Sequence, residues 1–155
     1  MRSFTSSSSV PSPVIRILLV DDHNLGLAAR RSVLEESGYR ITTANNAAEA
    51  LEKFSAGTFE LLVTNYKMPR LNGIDLIQKI RKQDPTIPII LLSGFADTLG
   101  LTESNTGADV VIQKSANEVT HLVRSVSRLL RRQQKPARKP PASVQPAARA
   151  KRKSV

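Results

Sequence analysis

Residues 59–73 read FELLVTNYKMPRLNG. Leu61, Leu62 and Val63 are apolar at consecutive positions, and because side chains alternate across a strand, such a run suits a strand covered on both faces. The run ends on Asn65, after which Met68-Pro69 and Asn72-Gly73 break regular structure. A buried strand thus delivers one amide side chain to a loop at its end.

Working outward, four more stretches carry the same strand signal: VIRILLV (14–20), RITTAN (40–45), IPIILL (87–92) and ADVVIQ (108–113). Helical patterns lie between them. In the first, Leu25, Ala28, Ala29, Ser32, Val33 and Glu36 fall near one face, and Gly38 supplies a stop. In the second, Ala47, Ala50, Leu51 and Phe54 form a stripe, with Asn45 or Asn46 as cap and Gly57 as terminator. In the third, Ile74, Ile77 and Ile80 face inward and the helix stops before Pro85. In the last, Val119, Leu122, Val123, Val126, Leu129 and Leu130 repeat at helical spacing. The fourth helix, DTLGLTESNTG (97–107), is rich in Gly and Thr and predicts a short or frayed helix with local mobility. Five alternations imply an α/β doubly wound parallel sheet with right-handed crossovers, and the arrangement expected is flavodoxin-like, five strands in the order 2-1-3-4-5 with five helices. In such folds sites lie at the carboxyl ends of the strands.

Composition bounds the rest. One domain of 155 residues with 40% hydrophobic content can build a single core, and no run nears the roughly 18 apolar residues of a spanning helix. A soluble, cytoplasmic protein is expected. The absence of cysteine excludes disulfides and thiolate metal sites. Residues 1–118 hold 12 Lys and Arg against 13 Asp and Glu, whereas residues 119–155 hold 11 basic residues and no acid. A nearly neutral body therefore carries a basic appendage. The expected organisation is a disordered lead-in over 1–13, a domain over 14–132 and a disordered basic tail over 133–155. In the tail, Lys135, Arg138, Lys139, Arg149, Lys151, Arg152 and Lys153 are candidate contacts to nucleic acid or an acidic partner, without base-specific recognition. A purely solubilising role fits them as well.

Four segments bring polar groups to the same sheet edge: Asp21 and Asp22 after the first strand, Asn65 after the third, Ser93 after the fourth and Lys114 after the fifth. Together with LLVDDH, LLVTNYKMPRLNG, PIILLSG and GADVVIQK, this pattern over about residues 14–132 resembles the receiver domain of bacterial two-component response regulators. The resemblance implies a phosphorelay role in which an acidic pair binds Mg2+, an aspartate takes phosphate from a histidine kinase, and a hydroxyl and a lysine contact the phosphoryl group. Asp21 and Asp22 match the acidic pair, and the backbone carbonyl of Lys67 matches the third metal ligand. Ser93 and Lys114 match the phosphate-contact positions. Asn65 stands at the phosphoacceptor position.

The departures all weaken phosphate chemistry. An amide has no anionic oxygen and cannot form an acyl phosphate. Its neutrality also reduces attraction for Mg2+, so metal binding is expected to be weakened or absent. Ser115 replaces the family's usual proline, so that loop is expected to run trans. Val111 replaces the aromatic residue of the switch relay. The expectation is a stand-alone pseudo-receiver, not an enzyme, that binds a histidine kinase or output protein independently of phosphorylation, through its fourth helix, fifth strand, last helix and tail. Two alternatives stand beside it: a phosphorelay receiver active when position 65 is Asp, and a nucleic-acid-associated protein that binds through the tail.

Overall fold

The computed structural model describes residues 13–134. The lead-in through residue 12 and the tail positions Lys135, Arg138, Lys139, Arg149, Lys151, Arg152 and Lys153 lie outside the described residues. Five strands, Arg16–Val20 (β1), Arg40–Ala44 (β2), Leu61–Asn65 (β3), Ile89–Ser93 (β4) and Val110–Gln113 (β5), form one sheet in the order β2-β1-β3-β4-β5. All neighbours are parallel, with Leu19 opposite Val63 and Val63 opposite Ile90. The flavodoxin-like order read from the sequence is the order found.

Alternation along each strand sorts the core into two layers. Ile17 and Leu19 of β1, Val63 of β3 and Ile90 of β4 point toward Asn24–Glu36 (α1) and Glu118–Gln134 (α6), where they meet Leu34, Leu122 and Val126. Leu18 and Val20, Leu62 and Leu91 point the other way, toward Ala47–Ala56 (α2) and Gly73–Gln83 (α3), where they meet Phe54, Leu76, Ile77 and Ile80. All five residues of β3 and of β4 are buried, as strands sandwiched between helix layers must be.

Local chemistry sets the helix ends. Asn46, of the two candidates, caps α2 by accepting from the Glu49 N–H at 2.8 Å, and Gly57 ends that helix. The Asn72-Gly73 pair opens α3: Asn72 accepts from the Asp75 N–H at 2.9 Å while Asp75 accepts from the Asn72 N–H, a reciprocal capping box.

Four expectations are corrected. The described residues hold six helices, because the segment expected to form the fourth gives two, Ala96–Leu99 (α4) and Glu103–Thr106 (α5), separated by Gly100 at φ 67°, a left-handed conformation that stops a helix. The buried face of α1 is Leu27, Arg30 and Leu34; Leu25 is 79% exposed, and Ala28, Ala29, Ser32 and Glu36 also face solvent. Apolar spacing misplaced this face because an arginine occupies its centre. In α6, Val119 is exposed although the five other apolar positions pack inward. That helix continues to Gln134, two residues past the boundary expected at 132.

Candidate functional site

The carboxyl ends of β1, β3, β4 and β5 converge on a cleft of about 570 Å³ lined by Asp21, Asp22, His23, Asn65, Lys67, Met68, Pro69, Ser93, Gly94, Phe95 and Lys114. Every site residue inferred from the described part of the sequence is in this one place. The strand register brings them together: Val20 lies beside Thr64 and Asn65 beside Leu92, so the next residues of each strand enter the same opening.

Asn65 is buried and ends β3. Its Nδ2 donates to the Lys67 carbonyl at 2.9 Å, folding the loop back on its own amide. A carboxylate could not make this bond, because it has no proton to donate. The loop then returns close to the strand: the Gly73 N–H donates to the Tyr66 carbonyl at 2.7 Å, and a Cβ on Gly73 would stand 2.4 Å from the Asn65 carbonyl oxygen. Only glycine fits there.

The two acids differ sharply. Asp22 is exposed and has no hydrogen-bond partner among the described residues. Asp21 is 1% exposed; its Oδ1 accepts from the His23 N–H at 3.0 Å and its Oδ2 is paired with the guanidinium of Arg30. Arg30 is itself buried and donates through Nε to Glu118 at 2.5 Å. Burial opposes the charge on Arg30, but hydrogen bonds and charge from Glu118 and Asp21 outweigh it and hold its pKa above the ordinary arginine value.

On the other side of the cleft, Ser93 is buried and its Oγ accepts from the Phe95 N–H at 2.9 Å. Lys114 is half-buried; its backbone N–H donates to the Ser93 carbonyl at 2.9 Å, and its ammonium makes no hydrogen bond or ion pair to a described residue. Burial lowers its pKa, with Arg30 adding to that effect and Asp21, Glu118 and Asp22 opposing it. The Lys67 ammonium lies 5.7 Å from the Phe95 ring centroid, above an aromatic that is half exposed. Val111, half-buried, sits beside Leu91 in the sheet, and its N–H donates to Glu103 at 3.1 Å. Ser115 opens a turn into α6, its carbonyl accepting from the Glu118 N–H at 3.1 Å.

Sequence reasoning missed Arg30 and Glu118. A signal existed in Gly26, a glycine inside α1 where helix propensity disfavours it: a Cβ there would stand 3.1 Å from Arg30 Nη1 and 3.4 Å from Asp21 Oδ2. Among the described residues no group of three or more His, Cys, Asp or Glu is arranged to hold a metal ion, and no helix is long and apolar enough to cross a membrane.

Comparison with known proteins agrees with this geometry. The family model for the response regulator receiver domain matches residues 17–126. The response regulator receiver protein CpdR of Brucella abortus is 30% identical over 115 residues, covering 74% of this chain and 96% of CpdR. The alkaline phosphatase synthesis transcriptional regulatory protein PhoP of Bacillus subtilis is 34% identical over 119 residues, covering 73% of this chain but only 48% of that protein. The chain thus spans nearly all of one relative and about half of the other. Among solved structures, the response regulator protein TrrA of Thermotoga maritima in complex with Mg2+ and BeF superposes with TM-score 0.68 at 34% identity, covering 75% of this chain and 99% of that one. A chain from the complex of histidine kinase ThkA with response regulator protein TrrA superposes equally well, with TM-score 0.68 at 35% identity, covering 76% and 99%.

Proposed function

Given that this chain belongs to the response regulator receiver domain family of two-component signalling, we propose that it is a pseudo-receiver: a non-enzymatic interaction module whose contacts do not depend on phosphorylation. The single observation that carries this reading is Asn65 at the end of β3, where its amide bonds to its own loop at Lys67. The position lacks the anionic oxygen that attack on phosphorus requires, and a neutral amide does not become one at any physiological pH.

Around it the phosphate-contact residues are engaged elsewhere or set apart. Ser93 Oγ accepts from the Phe95 backbone, and Lys114 carries a proton that burial disfavours. The signalling partner is a histidine kinase or an output protein. The surface offered to it includes the half-exposed Phe95, with the Lys67 ammonium over its ring, and Leu99 in the helix that packs against β5. Exposed aromatic and leucine side chains next to basic positions suit a protein partner with an apolar patch and acidic rim.

The test is incubation of the full chain with acetyl phosphate and Mg2+, followed by intact mass measurement at neutral and acid pH. No acid-labile phosphoryl adduct is expected on the wild-type protein. An adduct on any residue overturns the proposal.

A further inference from the structure

A divalent cation in this cleft would need oxygens from Asp21, Asp22 and the Lys67 carbonyl, yet two of the three are taken by donors of the chain itself. Asp21 is bonded by the Arg30 guanidinium and the His23 N–H, and the Lys67 carbonyl accepts from Asn65. Only the exposed Asp22 carboxylate is free of the chain's own donors, and a divalent cation, which binds through one or two carboxylates and keeps several waters, would meet an Asp21 whose charge Arg30 already neutralises. The residues present do not fit the metal.

We infer that Arg30 is a built-in cation that replaces the divalent metal and holds the cleft in one state without it. The side chain is made to fit. It crosses the face of α1 over Gly26, where a Cβ would stand 3.1 Å from its Nη1, and reaches two acids that belong to different elements, Asp21 at the end of β1 and Glu118 at the start of α6. Arg30 is buried, Asp21 is 1% exposed, and the Glu118 side chain is 13% exposed, so the three charges are largely withdrawn from water and screening by salt is weak. A rigid guanidinium can bond two carboxylates at once. Because Glu118 opens the helix that follows Lys114, the same contact fixes the loop bearing that lysine relative to the acidic pair. A metal would have to displace a bonded positive charge from Asp21, and the repulsion between the two cations opposes that displacement.

This extends the reading of the cleft given above, and its test separates the two. Mn2+ is titrated by electron paramagnetic resonance into full-length wild type, Asn65→Asp, Arg30→Gln/Asn65→Asp and Arg30→Met/Asn65→Asp, and thermal unfolding of each is followed with and without Mn2+. Glutamine keeps an N–H donor for Asp21 while removing the charge, so that variant retains the fold if the methionine variant does not. Wild type is expected to show no site-specific Mn2+ binding and no Mn2+-dependent rise in Tm. The Arg30→Gln/Asn65→Asp protein is expected to bind Mn2+ at least about tenfold more tightly than Asn65→Asp, and its Tm should rise with added Mn2+. Equal affinity in the single and double variants would overturn the role of Arg30 while leaving the assignment of Asn65 untouched. Tight Mn2+ binding by wild type would overturn it as well. A phosphoryl adduct on wild-type protein would instead strike the pseudo-receiver proposal and leave the Mn2+ comparison standing.

Discussion

After β3 the chain passes through a loop into the 11-residue helix α3, whereas after β4 it makes two helices of four residues each, α4 and α5, although both strands end on a buried polar residue, Asn65 and Ser93. The first segment is held by the core: Leu76, Ile77 and Ile80 are fully buried against β1, β3 and β4. The second buries Ala96 in α4 and Thr106 in α5 and relies on side-chain amides instead. Gln113 accepts from the Asp97 N–H at 2.9 Å and donates to the Gly94 carbonyl at 2.7 Å, while Asn105 donates to the Gly100 carbonyl at 2.8 Å. Apolar burial scales with the area removed from water, whereas an exposed hydrogen bond exchanges with solvent at little net gain. One flank of the cleft is therefore anchored and the other is only tied.

The sharpest way to break this contrast is to delete matched apolar side chains. Ile77→Ala, on the anchored flank, should cost roughly 2–5 kcal/mol, and Leu99→Ala, half exposed on the tied flank, no more than about 0.5 kcal/mol. Urea unfolding measures both, and equal costs would erase the distinction. Glycine substitutions sharpen it further. Gly73→Ala places a methyl 2.4 Å from a backbone oxygen and 2.8 Å from Leu91, for a loss of about 3 kcal/mol. Gly100→Ala meets nothing within 4 Å and pays only for its left-handed backbone, about 1 kcal/mol.

The smallest effect concerns charge between the two flanks. Burial lowers the pKa of Lys114 in the folded state, so as pH rises toward the ordinary lysine range the folded protein loses this proton before the unfolded chain does. The unfolded state then binds more protons, and stability rises with pH across that window. Lys114→Met is expected to remove this rise and to melt slightly above wild type at neutral pH, as read from Tm across a pH series. A steeper rise in the variant would show that Lys114 is a net stabiliser.

Much of this is legible in the sequence alone. The consecutive apolar residues of β3 and β4 announced a sheet covered on both faces, and the polar residue after each strand located the cleft, because parallel strands present all their carboxyl ends on one side. The Gly-rich 97–107 segment was rightly weak, but its division at Gly100 depended on which residue took the left-handed conformation. The face of α1 was misread for a physical reason: spacing rules look for apolar residues, and the centre of that face is Arg30, whose burial becomes tolerable only when two carboxylates meet it.

The sequence by itself determined the alternation of strands and helices, the acidic pair, and the amide at position 65, since each follows from local periodicity or from what a side chain can chemically do. Tertiary structure alone decided that the amide bonds the Lys67 carbonyl and that Arg30 joins Asp21 to Glu118, which lies 88 residues beyond Arg30 in the chain. Local propensity marks Gly26 as out of place in α1 but does not name the partners of such a pairing. Packing of α1 against α6 brings Glu118 within reach, and withdrawal from water makes the pairing of Arg30 with both acids necessary.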